Sequence, residues 1–137
     1  MKRRVYLDSC VVIYLIEGEE VLSRAVRSAL QSDFGFEIEA CVSPLTRLEC
    51  RVRPLREDQP ELLRHYDRFF SSRGLRWGRL TRGVMDLATS LRARHRIKTP
   101  DAIHLAVAAT LGSDEFWTND HRLSSGLDLR LSIRQLP

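Results

Sequence analysis

The chain has 137 residues, 43% apolar and 29% charged, with a formal net charge of +4. That length is read as one domain, residues 1–137, large enough to build a hydrophobic core without disulfide or metal staples. The composition excludes disordered and collagen-like chains, and the longest apolar run, residues 11–16, is far short of a membrane span.

The first element expected is a short strand over residues 4–7, ending at Asp8. Asp8, Glu17, Glu19 and Glu20 break what a signal peptide would need as an apolar stretch after the basic start, so a soluble, cytoplasmic protein is expected. From Ser9 a helical pattern runs through Val12, Ile13 and Ile16 and stops at Gly18. Val21, Ala25, Val26, Ala29 and Leu30 mark a second helix, ending before residues 33–35. Residues 36–42 alternate as a second strand. Ser43-Pro44 opens a third helix, with Ser as cap and Pro in the first turn. Pro54 and Pro60 are expected to bracket a break. A fourth helix then carries Leu62, Leu63, Tyr66, Phe69 and Phe70 to about Arg73. Residues 75–80 read as a strand, and Trp77, among Arg76, Arg79 and Arg82, reads as core in preference to a base-stacking residue. Residues 84–94 are helical, and Thr99-Pro100 caps and opens a further helix, apolar almost all round and hence deeply buried. Residues 115–118 form a strand, 119–124 a turn or short helix, and 127–133 a last strand. Strands alternating with helices predict an α/β fold around a largely parallel sheet.

The three cysteines, Cys10, Cys41 and Cys50, are odd in number and lack C-x-x-C spacing. They read as small buried hydrophobes. Arginine outnumbers lysine twenty to two, and residues 47–96 hold thirteen arginines against six acids. Such a segment suits phosphate contact, and on charge alone a solvated helix surface explains it equally well.

Four acids occupy positions that the apolar pattern does not explain. Asp8 ends the first strand, at the edge where parallel sheets bind ligands. Glu49 shares an i, i+4, i+7 stripe with Leu45 and Val52, which turns a carboxylate toward the core. Asp101 lies in the first turn of the buried helix, and Asp120 follows a strand as Asp8 does. Taken singly, each is explained by helix capping, the helix dipole or a nearby arginine. If the strands over 4–7 and 115–118 are neighbours, however, the acids converge, and such a group stays ionised only beside a cation. Oxygen donors without cysteine or paired histidines suit Mg²⁺ or Mn²⁺.

The ordered segments Val5-Tyr-Leu-Asp8-Ser9, Ser43-Pro-Leu-Thr46-Arg-Leu-Glu49, Thr99-Pro-Asp101-Ala-Ile-His104-Leu-Ala and Trp117-Thr-Asn-Asp120 together resemble the PIN domain, and within it the VapC toxins. The resemblance spans the whole chain and implies a PIN-like three-layer α/β/α sandwich. It implies a Mg²⁺- or Mn²⁺-dependent endoribonuclease that leaves a 5′-phosphate and a 3′-hydroxyl. Asp8, Glu49, Asp101 and Asp120 would then form the metal site, with Ser9, Thr118 and Asn119 in supporting positions. Cys10 departs from the polar or small residue of many relatives and is not needed as a nucleophile. His104 is read as a packed or supporting histidine. The resemblance further implies an RNA substrate, a homodimer, and a VapB-like antitoxin whose tail covers the groove beside residues 43–73. Two other readings stand beside it: a catalytically inactive PIN-fold binding module, and a phospho-acceptor signalling domain, which the absence of a second acid beside Asp8 disfavours.

Overall fold

In a computed structural model of the chain, residues 2–30, 37–123 and 127–136 are described, and the side chains of Leu22, Ala29, Leu30 and Glu37 are outside that description. The elements run β1 (Lys2–Leu7), α1 (Ser9–Glu17), α2 (Glu20–Leu30), β2 (Glu37–Val42), α3 (Pro44–Arg56), α4 (Pro60–Phe70), β3 (Arg76–Trp77), α5 (Arg82–His95), α6 (Thr99–Thr110), β4 (Glu115–Thr118) and β5 (Ser132–Gln135). The expected end of the second helix and start of the second strand lie outside the described residues.

The sheet has the order β3-β2-β1-β4-β5, and every pairing is parallel. β1 sits at its centre, with Tyr6 opposite Cys41 on one side and Phe116 on the other. Because side chains alternate along a strand, the two faces carry separate cores. Tyr6, Cys41 and Phe116 pack with α5 and α6 residues such as Leu91 and Leu105. Val5, Leu7, Val42 and Trp117 pack with Val11, Val12, Cys50, Tyr66 and Phe70 from α1, α3 and α4. Helices cover both faces, which is why Val5–Leu7 of β1 and Phe116–Trp117 of β4 are apolar at consecutive positions. α6 buries Ala102, Leu105, Ala106, Val107 and Ala108 as its all-round apolar sequence predicts. Its cap falls one residue earlier than expected, at Lys98, whose carbonyl accepts from Ala102 N–H at 2.9 Å.

The break that Pro54 and Pro60 bracket falls at residues 57–59, and Pro54 itself lies buried in the last turn of α3, where its missing N–H removes one helical bond. Several expectations need correction. The buried stripe of α3 is Thr46, Cys50 and Pro54, one position on from the Leu45–Val52 stripe. Leu48, Val52 and Leu55 are exposed instead. β3 is only two residues long, because β2 ends at Val42 and Gly78 N–H makes the last bond to its carbonyl at 2.8 Å. Trp77, on this edge strand, is 38% exposed and leans on Phe70 at 5.8 Å, so it is not core. β5 begins at Ser132 rather than 127, since β4 offers four residues to pair with, and Leu127, Leu129 and Leu131 pack on the core without a ladder.

Candidate metal centre

β1 and β4 are neighbours in register, Leu7 beside Trp117, so the next residues of both strands share the carboxyl edge. There the Asp8 N–H donates to the Trp117 carbonyl at 3.0 Å. Asp8 is also the N-cap of α1. Its Oδ1 accepts from Ser9 N–H at 2.8 Å, and its Oδ2 accepts from the Thr118 hydroxyl at 2.8 Å. Capping and site formation are thus one arrangement: the bonds that start α1 also fix a buried carboxylate at the sheet edge.

Glu49 reaches the same point from α3. Its Oε1 lies 2.5 Å from His104 Nε2, and that nitrogen lies 3.8 Å from Asp8 Oδ1. One ligand atom from each of Asp8, Glu49 and His104 falls within 4.8 Å of the others. Burial opposes ionisation of Glu49, but His104 and the Ser9 side chain more than compensate and hold its pKa below the usual value. The misplaced stripe did not misplace Glu49, because residue 49 flanks the buried face at Thr46 and Cys50.

Asp101 occupies the first turn of α6, three residues before His104, so both lie on one face of that helix. Burial raises its pKa, and the charges of Asp8 and Asp120 raise it further. These acids therefore repel one another across the edge. Asp120 is brought near them but is otherwise engaged: Arg122 grips it with Nε at 2.9 Å and Nη2 at 2.7 Å, which lowers its pKa to about 2. Thr118 Oγ1 also accepts from Asp120 N–H at 3.0 Å, linking the turn to Asp8. Asn119 turns its amide to the Tyr14 hydroxyl, not to an acid.

His104, read as a packed or supporting histidine, is held from both sides. It is 1% exposed, with both ring nitrogens bonded, Nδ1 to the Tyr6 hydroxyl at 2.7 Å. The available signal was its i, i+3 spacing from Asp101 on an otherwise apolar helix. Cys10 touches Thr118 and Asn119, and burial pushes its thiol up to about 12, which disfavours the thiolate. The donor chemistry fits a hard or borderline divalent cation: carboxylates whose mutual repulsion a cation would relieve, and no thiolate.

An α/β protein that draws acids from separate segments to the carboxyl edge of a parallel sheet is built to hold a ligand there. The family profile described as the PIN domain matches residues 5–125, and the chain belongs to that family. Among solved structures it is similar to a toxin–antitoxin complex from Klebsiella pneumoniae, at 21% identity and a TM-score of 0.71, over 90% of this chain and 92% of that one. It is similar to VapBC2 from Rickettsia felis bound to a DNA fragment from their promoter, at 13% identity and a TM-score of 0.73, over 98% and 99%. It is also similar to VapC20 of Mycobacterium tuberculosis, a sarcin–ricin loop cleaving toxin, at 13% identity and a TM-score of 0.67, over 90% and 92%. At these identities the likeness concerns the fold. No curated protein matches the chain.

Proposed function

We propose that this PIN domain is the toxin of a toxin–antitoxin pair, a divalent-metal-dependent endoribonuclease that hydrolyses RNA phosphodiester bonds in the cytoplasm. The observation that carries the reading is the convergence of Asp8, Glu49 and His104, with Asp101 close enough for charge repulsion, at one sheet edge. Asp8, Glu49 and Asp101 would hold Mg²⁺ or Mn²⁺, and Asp120 would contribute only on leaving Arg122. Such an ion, when bound, activates water and offsets charge on the scissile phosphate. Thr118 and the Ser9 backbone keep Asp8 aimed, and the Ser9 side chain helps to keep Glu49 ionised.

RNA must approach this acidic edge against its own charge. Part of the arginine-rich segment is committed elsewhere: Arg51 pairs with Asp67 at 2.9 Å, and Arg76 lies 3.8 Å from Glu39. Arg73, Arg79 and Arg82 are exposed beside the exposed Trp77, a combination suited to backbone contact and base stacking.

The toxin–antitoxin descriptions of the similar structures support an antitoxin partner. Two adjoining concavities of about 410 and 540 Å³ between α1, α2 and α4 share Ile16 and His65, with Leu15, Leu62 and Phe69 around them. They fit the apolar side of an antitoxin tail, and a homodimer completes the reading. The deciding experiment is cleavage of bulk RNA by purified protein with Mg²⁺ or Mn²⁺, with EDTA, and with Asp8→Asn. Metal-dependent cutting that the variant loses is expected. Cutting that persists unchanged in EDTA or in Asp8→Asn refutes the assignment.

A further inference from the structure

The Tyr6 phenol lies beneath the candidate metal centre, on the strand that ends in Asp8. It is fully buried and stacked on Phe116 at 5.5 Å, with the rings 7° from parallel. Its oxygen has three polar neighbours: His104 Nδ1 at 2.7 Å, Ser43 Oγ at 2.9 Å and Thr46 Oγ1 at 3.2 Å. A phenol has one proton and two acceptor sites. The phenol proton goes to Ser43 Oγ, so the lone pairs of the phenol oxygen face Thr46 Oγ1 and His104 Nδ1, the shortest contact of the three. Thr46 Oγ1 already accepts Ser43 N–H at 3.1 Å, which leaves its own proton to point at Tyr6. Tyr6 thereby holds the imidazole in place from its Nδ1 side.

Nε2 faces Glu49 Oε1 at 2.5 Å. A bare Nε2 would set a nitrogen lone pair against a carboxylate oxygen at that distance, acceptor against acceptor, so Nε2 carries a proton. A protonated ring also presents Nε2–H to Glu49, so the donor direction does not depend on charge. Asp8 is held by its own strand and helix cap, whereas Glu49 is a long side chain on another helix, 29% exposed, and needs an anchor. His104, on the same helix as Asp101, supplies one.

We propose that His104, oriented by Tyr6, is a positioning residue that donates its Nε2–H to Glu49 and fixes that carboxylate beside Asp8 for metal binding, an inference that rests on the metal-centre reading above. Outer-shell partners of this kind set metal affinity through the ligand they orient.

The test is calorimetric titration of the full chain with Mn²⁺, for wild type, His104→Leu, His104→Gln and Tyr6→Phe. It is joined by ¹⁵N NMR of the His104 ring and by circular dichroism to confirm folding. His104→Leu and Tyr6→Phe are expected to weaken Mn²⁺ binding about 10–100-fold, the usual cost of losing an outer-shell partner. His104→Gln, which keeps a donor at the same reach, is expected to recover most of the loss. In the wild type a ring proton is expected on Nε2. Wild-type Mn²⁺ affinity in folded His104→Leu, or a neutral ring protonated only on Nδ1, overturns the relay. Failure of the wild type itself to bind Mn²⁺ overturns the metal-centre reading and, with it, the purpose given to the relay. If His104→Leu does not fold, Tyr6→Phe and the NMR tautomer decide the question alone.

Discussion

Thr118 donates its hydroxyl to Asp8 Oδ2 at 2.8 Å, joining residues 110 positions apart at the ends of two adjacent strands. Both are buried, and the same Thr118 oxygen accepts Asp120 N–H. Thr118→Val keeps the volume but leaves a buried carboxylate oxygen and a backbone N–H each short of a partner. A hydrogen bond to a charged group contributes about 1.5–3 kcal/mol, and a loss of that order is expected in urea unfolding. Cleavage should fall with it, since Asp8 loses one of its two anchors. Thr118→Ser should retain most of both, and an unchanged urea midpoint in Thr118→Val would refute the argument.

Asp101 is the acid whose removal should stabilise the metal-free protein. Burial and the neighbouring charges of Asp8 and Asp120 raise its pKa in the folded state. A raised carboxylate pKa means the ionised group opposes folding above the folded-state value, and this penalty disappears below the ordinary aspartate range. Asp101→Asn should therefore melt at a higher temperature than wild type at neutral pH without metal, and the gap should close in acid. Adding Mn²⁺ should raise the wild-type melting temperature more than that of the variant, because only the wild type keeps the full donor set. A variant that melts lower throughout would show that Asp101 is held by attraction. Cleavage should be abolished in Asp101→Asn as in Asp8→Asn.

Those acids were legible in the sequence because each broke a rule. A carboxylate after an apolar strand or at the start of a buried helix is conspicuous whatever it does. The parallel sheet was legible for a related reason: Val5–Leu7 and Phe116–Trp117 are apolar at consecutive positions, which fits a strand covered on both faces. The partners of the acids were not legible. Nothing local ties Arg122 to Asp120 in preference to solvent, and only the fold brings Tyr6 to His104, 98 residues away. The expected α3 stripe of Leu45, Glu49 and Val52 does not hold because Val52 points outward with Leu48 and Leu55, which are as apolar as a core face, while the buried face uses Thr46, Cys50 and Pro54. Hydrophobicity alone cannot order those two faces, whereas the buried hydroxyl of Thr46 has a specific partner in Tyr6.

Gly78 tests how closely the edge of the sheet packs on α6. A Cβ at this position would lie 2.2 Å from Val107 Cγ1 and 3.1 Å from Leu111 Cδ1. Val107 is itself 1% exposed and held within the core, so it has little room to move. Overpacking of this kind costs about 1–3 kcal/mol. Gly78→Ala should lower the melting temperature while leaving Mn²⁺ binding intact, because the side chains its Cβ would meet, Val107 and Leu111, are not among the acids or their partners. Equal loss of stability and metal affinity would mean that the two regions are mechanically linked.

Asp120 should prove the least important of the four acids, for a reason the geometry supplies. Arg122 holds both carboxylate oxygens, through Nε at 2.9 Å and Nη2 at 2.7 Å, and its backbone N–H adds a third bond at 3.0 Å. The carboxylate is already neutralised within the chain, so an incoming cation would have to displace a guanidinium to use it. Asp120→Asn is therefore expected to weaken Mn²⁺ binding and cleavage far less than Asp8→Asn does. Its stability signature should also differ from that of Asp101. The folded-state pKa is lowered from 3.8 to about 2, so the ion pair stabilises the fold above the ordinary aspartate value and is lost as pH falls through about 2. Asp120→Asn should then be slightly less stable than wild type at neutral pH, with the difference vanishing in strong acid, the opposite sign to Asp101→Asn. Arg122→Ala should free Asp120 and increase the loss of Mn²⁺ affinity that a subsequent Asp120→Asn change produces. If Asp120→Asn abolishes Mn²⁺ binding in the presence of Arg122, the pairing is not what governs this carboxylate.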